Sequence, residues 1–161
     1  MMKELVKNIL VAISGSESSL NAAKYSIMLA KDFKFNLSVV YVVDTHTLKD
    51  LMLSKIFIEE ESTEYEKNML ANGNRYLAYV EELAKSKGVK INKILKTGSI
   101  ATMILETSEE QQIDLIILGG WEVNRSKRDL VSKSHMEVLM DSKKPVLIVK
   151  EEEVETIFKK F

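Results

Sequence analysis

The sequence predicts one doubly wound α/β domain, in which helices cover both faces of a five-stranded parallel sheet. Three observations predict it: short apolar runs rich in β-branched residues, amphipathic helical patterns between them, and one run that alternates instead. Near-continuous apolar runs are typical of parallel strands buried on both faces, whereas alternation is typical of an edge strand with one wet face. The length of 161 residues fits a single domain of ordinary size.

The predicted elements alternate along the chain. Five runs have the character of strands: residues 8–13, 37–43, 90–96, 114–118 and 145–149. Four stretches have apolar residues at helical spacing: residues 16–33, 62–87, 99–112 and 130–142. Right-handed crossovers then build a sheet of strand order 3-2-1-4-5, because the alternating third strand belongs at an edge. The topological switch point, where open α/β sheets hold ligands, falls between strands one and four.

Two stretches lie outside this alternation. Residues 45–58 carry too much apolar surface for a bare loop, so we expect a short helix there, over the sheet or against a partner. The domain is expected to span residues 1–150 and to be followed by an amphipathic tail over 151–161, either docked or frayed. The apolar stripe of this tail consists of Val154, Ile157, Phe158 and Phe161.

Composition excludes several classes of protein. The formal net charge is −1, so no overall field favours nucleic acid or an anionic membrane. Cysteine is absent, which excludes disulfides, thiolate catalysis and cysteine-based metal sites and is compatible with a reducing compartment. The sequence shows no secretory signal, and no apolar run approaches the length of a membrane span. The expected location is therefore the cytoplasm.

The loop after the first strand is one half of the predicted site. Residues 14–19, which begin with Ser14 and Gly15, are rich in hydroxyls and lie at the amino end of a helix. Backbone N–H groups and the helix dipole favour an anion at such a position. The alternative is that Ser16 or Ser18 only caps the helix.

The loop after the fourth strand is the other half. Gly119 and Gly120 either let the backbone approach a ligand closely or let the strand turn. Residues 124–128 follow and concentrate cations, Arg125 and Lys127 among them, just ahead of a helix. Such a cluster suits phosphate recognition. A solvated basic loop is the alternative, because residues 122 and 129 are acidic and halve its charge.

Several stretches match one known family in order along the chain. Residues 8–19, NILVAISGSESS, resemble an opening written I-L-V-P-V-D-G-S-E-x-S, and YVVD at 41–44 resembles H-V-V-D. Residues 97–99 with IDLIILG at 113–119 resemble G-x-x-x-x-x-I…A-D-L-I-V-M-G, and KPVLIV at 144–149 resembles C-P-V-L-V-V. These stretches are similar to those of universal stress proteins. The resemblance implies a homodimer paired through the last strand, at Val146, Leu147, Ile148 and Val149.

The resemblance also implies a nucleotide site, but this chain departs from its motif. ATP-binding members carry G-x-x-G, nine residues, then G-S or G-T, and the glycines let backbone amides hold phosphates. Counted from Gly119, the later positions are Glu122, Ser132 and Lys133, so only the first glycine survives. A carboxylate at Glu122 beside a triphosphate would cost on the order of a kcal/mol or more. Nearby Lys133 and Arg125 would offset part of that cost.

The positions expected around the base and ribose depart as well. The family's proline and aspartate after the first strand become Ala12 and Ser14, whereas Val42 keeps its match. We therefore expect a non-enzymatic regulatory protein without a cofactor, which binds unidentified client proteins and does not hold ATP in the ordinary way. The alternative is a nucleotide switch whose modified loop binds ATP or another anion through Arg125, Lys127 and Lys133.

Three alternative interpretations, drawn from nucleotide-dependent enzymes and response regulators, fit the sequence less well. An ATP pyrophosphatase loop, S-G-G-x-D-S, fails at Ser16 and Ser18. A dinucleotide dehydrogenase needs G-x-G-x-x-G, of which only Gly15 is present. A phosphoacceptor regulator needs carboxylates at the end of the first strand, where an isoleucine and a serine stand. The two histidines, His46 and His135, are far apart and fit no metal-ligand pattern, and no nucleophile is paired with a base.

Overall fold

The computed structural model describes residues 4–55, 58–120 and 125–161, without the side chains of residues 125–132. Five strands are present in the described residues: β1 (Asn8–Ile13), β2 (Asn36–Asp44), β3 (Ile91–Gly98), β4 (Leu115–Gly119) and β5 (Val146–Val149). The helices of the same residues are α1 (Glu17–Phe33), α2 (Thr45–Leu53), α3 (Glu59–Ser86), α4 (Ile100–Glu110), α5 (Arg125–Asp141) and α6 (Val154–Lys160).

The strands form one parallel sheet of order β3-β2-β1-β4-β5, which confirms the predicted fold and strand order. β1 lies in the centre, where Ile9 pairs with Leu37 of β2 on one side and with Leu115 of β4 on the other. Because successive residues of a strand point to opposite faces, Ile9 and Leu10 enter different cores, and both are fully buried. Helices α1, α3 and α6 pack on one face, and α4 and α5 pack on the other.

Two helices begin earlier than the sequence predicts. α3 begins at Glu59 rather than at residue 62, and α5 begins at Arg125 rather than at residue 130. The basic segment expected as a loop is therefore the first turn of α5. In both cases the added turn is polar, so the spacing of apolar residues gave no sign of it. Three glutamates in the first turn of α3 stabilise it through the helix dipole.

Each of the two stretches outside the alternation contains a helix. α2 follows β2 directly, capped by Asp44, whose carboxylate accepts a hydrogen bond from the Thr47 N–H at 3.0 Å. α6 packs against α1 and buries Val154 and Phe158 in the core of its own chain. The C-terminal tail is thus docked. None of the helices in the described ranges is long and apolar enough to cross a membrane.

Candidate functional site

The carboxyl edge of the sheet brings together six of the residues that the sequence singles out. Ala12 and Val42 are half-buried on the α4–α5 face, at the ends of the neighbouring strands β1 and β2. Four more residues stand at the ends of β1 and β4: Ser14, Gly15, Gly119 and Gly120. Gly119 approaches the first turn of α1, so the loops after β1 and β4 meet at this edge, as a switch point requires.

The serine hydroxyls of the first loop are hydrogen-bonded to one another and to the backbone. Ser16 caps α1, because its Oγ accepts a hydrogen bond from the Ser19 N–H at 3.2 Å. Ser14 Oγ donates to Ser16 Oγ at 3.0 Å, and the Ser14 N–H donates to Ser19 Oγ at 2.9 Å. Ser19 Oγ in turn donates to the Ser14 carbonyl at 2.9 Å. This network holds the loop closed on itself at the amino end of α1.

The two glycines that end β4 are in close contact with backbone. A β-carbon on Gly119 would lie 2.7 Å from the carbonyl carbon and oxygen of Ser18. A β-carbon on Gly120 would lie 2.7 Å from the carbonyl oxygen of Val149. Real β-carbons do not approach backbone atoms this closely, and backbone cannot swing aside as a side chain can. Both glycines are therefore required by the packing of β4 against α1 and β5.

Gly15 is in contact with an aromatic side chain from a distant helix. A β-carbon on Gly15 would lie 2.9 Å from Tyr76 Oη and 3.1 Å from two ring carbons. The Tyr76 ring stacks on Tyr41 of β2, with centroids 6.1 Å apart and planes 8° from parallel. Gly73, one turn before Tyr76, leaves room for the Tyr41 ring. Burial and the neighbouring phenols of Tyr76 and Tyr65 raise the pKa of Tyr41.

The basic segment is described only as a helix. Arg125, Lys127 and Ser132 lie in α5, but their side chains are outside the described residues, as is the whole of Glu122. Lys133 is exposed on the same helix. Further along α5, burial lowers the pKa of His135, and its Nδ1 has no hydrogen-bond partner among the described residues.

The described residues show no metal site at this edge, and a well-formed cavity lies elsewhere on the sheet. Among the described residues, no group of three or more histidine and carboxylate side chains could hold a metal ion. A cavity of about 830 Å³ opens at the opposite, amino edge of the sheet, beside Asn8 and Ile113. Its Asp114 carboxylate accepts hydrogen bonds from the backbone N–H groups of Lys7 and Asn8, both at 2.9 Å. That carboxylate therefore holds two segments of the chain together.

Comparison with known proteins identifies the family. The family model described as the universal stress protein family matches residues 6–150. The chain belongs to the universal stress protein family. It is 32% identical to universal stress protein MJ0531 of Methanocaldococcus jannaschii over 92% of this chain and 84% of that protein.

Solved structures of universal stress proteins share the fold. One from Burkholderia pseudomallei superposes with a TM-score of 0.73 at 21% identity, over 93% of this chain and all of that one. Another, solved in complex with cAMP, gives a TM-score of 0.65 at 20% identity, over 89% and 96% of the two chains. At this level of identity the likeness concerns the fold alone.

Apolar spacing did not predict one contact of the site in this universal stress protein, the contact between Tyr76 and Gly15. Tyr76 lies in a stretch with apolar residues at helical spacing, but its contact with Gly15 depends on the position of α3 along the sheet. That position is set by tertiary packing, at Gly73 against Tyr41 and Leu95. A glycine inside a long helix was the available signal, since glycine there costs roughly 1 kcal/mol relative to alanine and needs a reason.

Proposed function

We propose that this universal stress protein is a non-catalytic regulatory protein that acts as a cytoplasmic homodimer and does not hold ATP through the family's glycine motif. One observation carries the proposal. The glycines at the switch point, which in a phosphate site would leave space for a ligand, face atoms of the protein itself.

The surviving motif glycine supports this interpretation. A glycine at position 119 would be needed with or without a nucleotide, because Ser18 backbone occupies the space where its side chain would be. Its presence is therefore no evidence for a phosphate cradle. At the remaining motif positions, Glu122 and Ser132 replace glycines that would let a backbone approach a phosphate, and Lys133 replaces the hydroxyl residue.

The first loop supports it as well. Ser14 stands where the family's nucleotide-binding members have an aspartate, and a neutral hydroxyl replaces a carboxylate there. That hydroxyl donates to Ser16 and accepts from the Ser16 N–H at 3.2 Å. Binding a ribose or base through Ser14 would require these bonds to be exchanged, and exchanged hydrogen bonds add little net free energy.

The two edges of the sheet support pairing through β5. The β3 edge carries charged lysines. Lys93 donates a hydrogen bond to Glu81 of α3 at 3.1 Å, and Lys96 donates one to Glu110 of α4 at 2.9 Å. Charged side chains of this kind discourage strand addition. β5 instead presents half-buried Val146, Leu147 and Ile148, with Val149 buried. The preceding helix, α5, exposes three further apolar residues: Met136, Leu139 and Met140.

A second candidate is a nucleotide-responsive switch with a modified phosphate loop. It is favoured by the similar structure that was solved with cAMP. A ligand with one phosphate needs fewer backbone N–H groups than a triphosphate does. In this alternative Arg125, Lys127 and Lys133 would supply the charge that the missing glycines do not.

Calorimetric titration with ATP and magnesium, and separately with cAMP, distinguishes the two candidates after carried-over nucleotide has been excluded. We expect no heat with ATP. A matched variant, Glu122→Gly with Ser132→Gly and Lys133→Ser, restores the family motif and is expected to gain ATP binding. ATP binding by the natural sequence at micromolar affinity, lost in Lys133→Glu, would replace the first candidate by the second. Sedimentation velocity tests the homodimer, and a monomer at micromolar concentration would contradict it.

A further inference from the structure

The helical hairpin formed by α2 and α3 extends beyond the sheet. α3 has 28 residues and is therefore about 42 Å long, whereas the central strand β1 has six residues and spans about 20 Å. Four of the buried residues of α3 lie between Gly73 and Ala84. In residues 59–72 only Ser62 is buried, so this half of α3 projects past the core with α2 beside it.

The end of this hairpin exposes large apolar side chains. Leu53 at the end of α2 is 82% exposed, Ile58 before α3 is 59% exposed, and Tyr65 is 47% exposed. We call these three residues the hairpin tip. Leu48 of α2 is buried, whereas the three residues of the hairpin tip are exposed. Exposed apolar residues grouped in one place mark interaction surfaces in soluble proteins.

Carboxylates surround the hairpin tip. Residues 59–66 contain five glutamates and no cation. Glu59, Glu60, Glu61 and Glu64 are exposed, and within the described ranges none of them lies within ion-pair distance of a cation. The helix dipole accounts for the three in the first turn but not for Glu64 beyond it. The apolar tip therefore lies in a stretch of net negative charge, because the flanking Lys55 and Lys67 do not balance five glutamates.

We propose that the hairpin tip is a docking surface for a basic amphipathic segment of another protein. The apolar side chains of that segment would cover Leu53, Ile58 and Tyr65, and its lysines or arginines would face Glu60, Glu61 and Glu64. Electrostatic complementarity of this kind sets specificity and association rate. The inference does not depend on whether the protein binds a nucleotide or pairs through β5.

A second copy of this chain fits the hairpin tip poorly. A two-fold contact places the same patch on both subunits, so two acidic runs would face each other. Like charges across an interface oppose association. Pairing through β5 would leave the hairpin tip accessible, because β5 lies at the opposite edge of the sheet from β3, against which α2 packs.

Fluorescence anisotropy with a labelled amphipathic peptide of leucine and lysine at helical spacing tests the proposal. The same peptide with glutamate in place of lysine is the control ligand. We expect the lysine peptide to bind with an affinity that falls as salt rises, and the glutamate peptide not to bind. Glu60→Lys with Glu61→Lys and Glu64→Lys should weaken binding about tenfold or more, and Leu53→Ser should weaken it without changing the salt dependence.

The chain contains a matched control for the charge change. Glu151, Glu152 and Glu153 form a second exposed run of three glutamates, remote in sequence from the hairpin. Their replacement by lysine alters the net charge by the same amount and should leave peptide affinity unchanged. Equal weakening by both triple variants would reduce the effect to overall charge and overturn the proposal. So would failure of the lysine peptide to bind the natural sequence, or an unchanged affinity in Leu53→Ser.

Discussion

The hydroxyl oxygen of Tyr76 lies 2.9 Å from the point where a β-carbon on Gly15 would stand. This contact joins α3 to the loop after β1, across sixty-one residues of sequence. The Tyr76 ring also stacks on Tyr41, so the loop, the helix and β2 form one packed unit. Gly15 therefore serves this packing.

Gly15→Ala should destabilise the fold by about 1–3 kcal/mol, because the added methyl must displace the Tyr76 ring. Urea denaturation of the variant measures the loss. The matched background is Tyr76→Ala, in which the space beside residue 15 is empty. There Gly15→Ala should cost clearly less, and an equal cost in both backgrounds would show that the Tyr76 contact is not the reason for the glycine.

Gly119→Ala should cost more, about 3 kcal/mol or beyond, because its β-carbon meets Ser18 backbone that cannot rotate away. Truncating a neighbouring side chain should not restore the lost stability. The same urea titration provides the measurement. A change in unfolding free energy below about 0.5 kcal/mol would mean that the space beside Gly119 is open. The glycine could then be explained by phosphate binding.

The fold was predictable because the patterns that indicate it are local in the sequence or follow from the right-handedness of crossover connections. Buried strands such as β4 show as apolar runs, and the alternation of β3 places that strand at the edge. The first turns of α3 and α5 were not predictable from apolar spacing, since Glu59 and Arg125 begin helices with polar turns. Propensity and charge were the remaining signals there, and both are weak.

The site was only partly predictable, for a different reason. That Gly15 and Gly119 lie at the switch point follows from topology. What occupies the space beside them depends on contacts between elements distant in sequence, Tyr76 in one case and Ser18 in the other. A glycine that admits a ligand and a glycine that admits a neighbouring chain segment have the same appearance in a sequence.

Phe158→Ala should detach α6 and destabilise the domain by about 3–5 kcal/mol. The ring is 6% exposed, and Lys87 Nζ lies 4.7 Å from its centroid. Phe161→Ala is the control, because that ring is 37% exposed and should cost no more than about 1 kcal/mol. Thermal denaturation compares the two. Equal costs would show that α6 is held by features other than the burial of Phe158.

Met136→Glu with Met140→Glu should convert the proposed homodimer into a monomer. Both side chains are exposed on α5, next to the strand through which pairing is proposed, and each new carboxylate would meet its own copy or an apolar surface. Sedimentation velocity reports the change. Leu53→Glu with Tyr79→Glu places the same two charges on α2 and α3, at residues that are 82% and 47% exposed, and should leave the assembly intact. Dissociation by both variants would point to a general effect of charge.

His135 should make the protein sensitive to mild acid. Burial lowers the pKa of His135 below its ordinary value of 6.5, so below that pH the unfolded chain binds more protons than the folded one. Stability contributed by the neutral imidazole is present above pH 6.5 and is lost as the pH falls towards the folded-state pKa. Among the described residues, no hydrogen-bond partner meets its Nδ1.

The test compares the pH dependence of unfolding free energy in the natural sequence and in His135→Leu. As the pH falls below 6.5, the natural protein should lose stability more steeply than the variant does, and the difference isolates the imidazole from the carboxylates that both proteins share. His46→Gln, which removes an exposed histidine, is the control for the substitution itself. Parallel pH profiles for the natural protein and His135→Leu would contradict the prediction, because they would show that His135 contributes nothing to the pH dependence of the unfolding free energy.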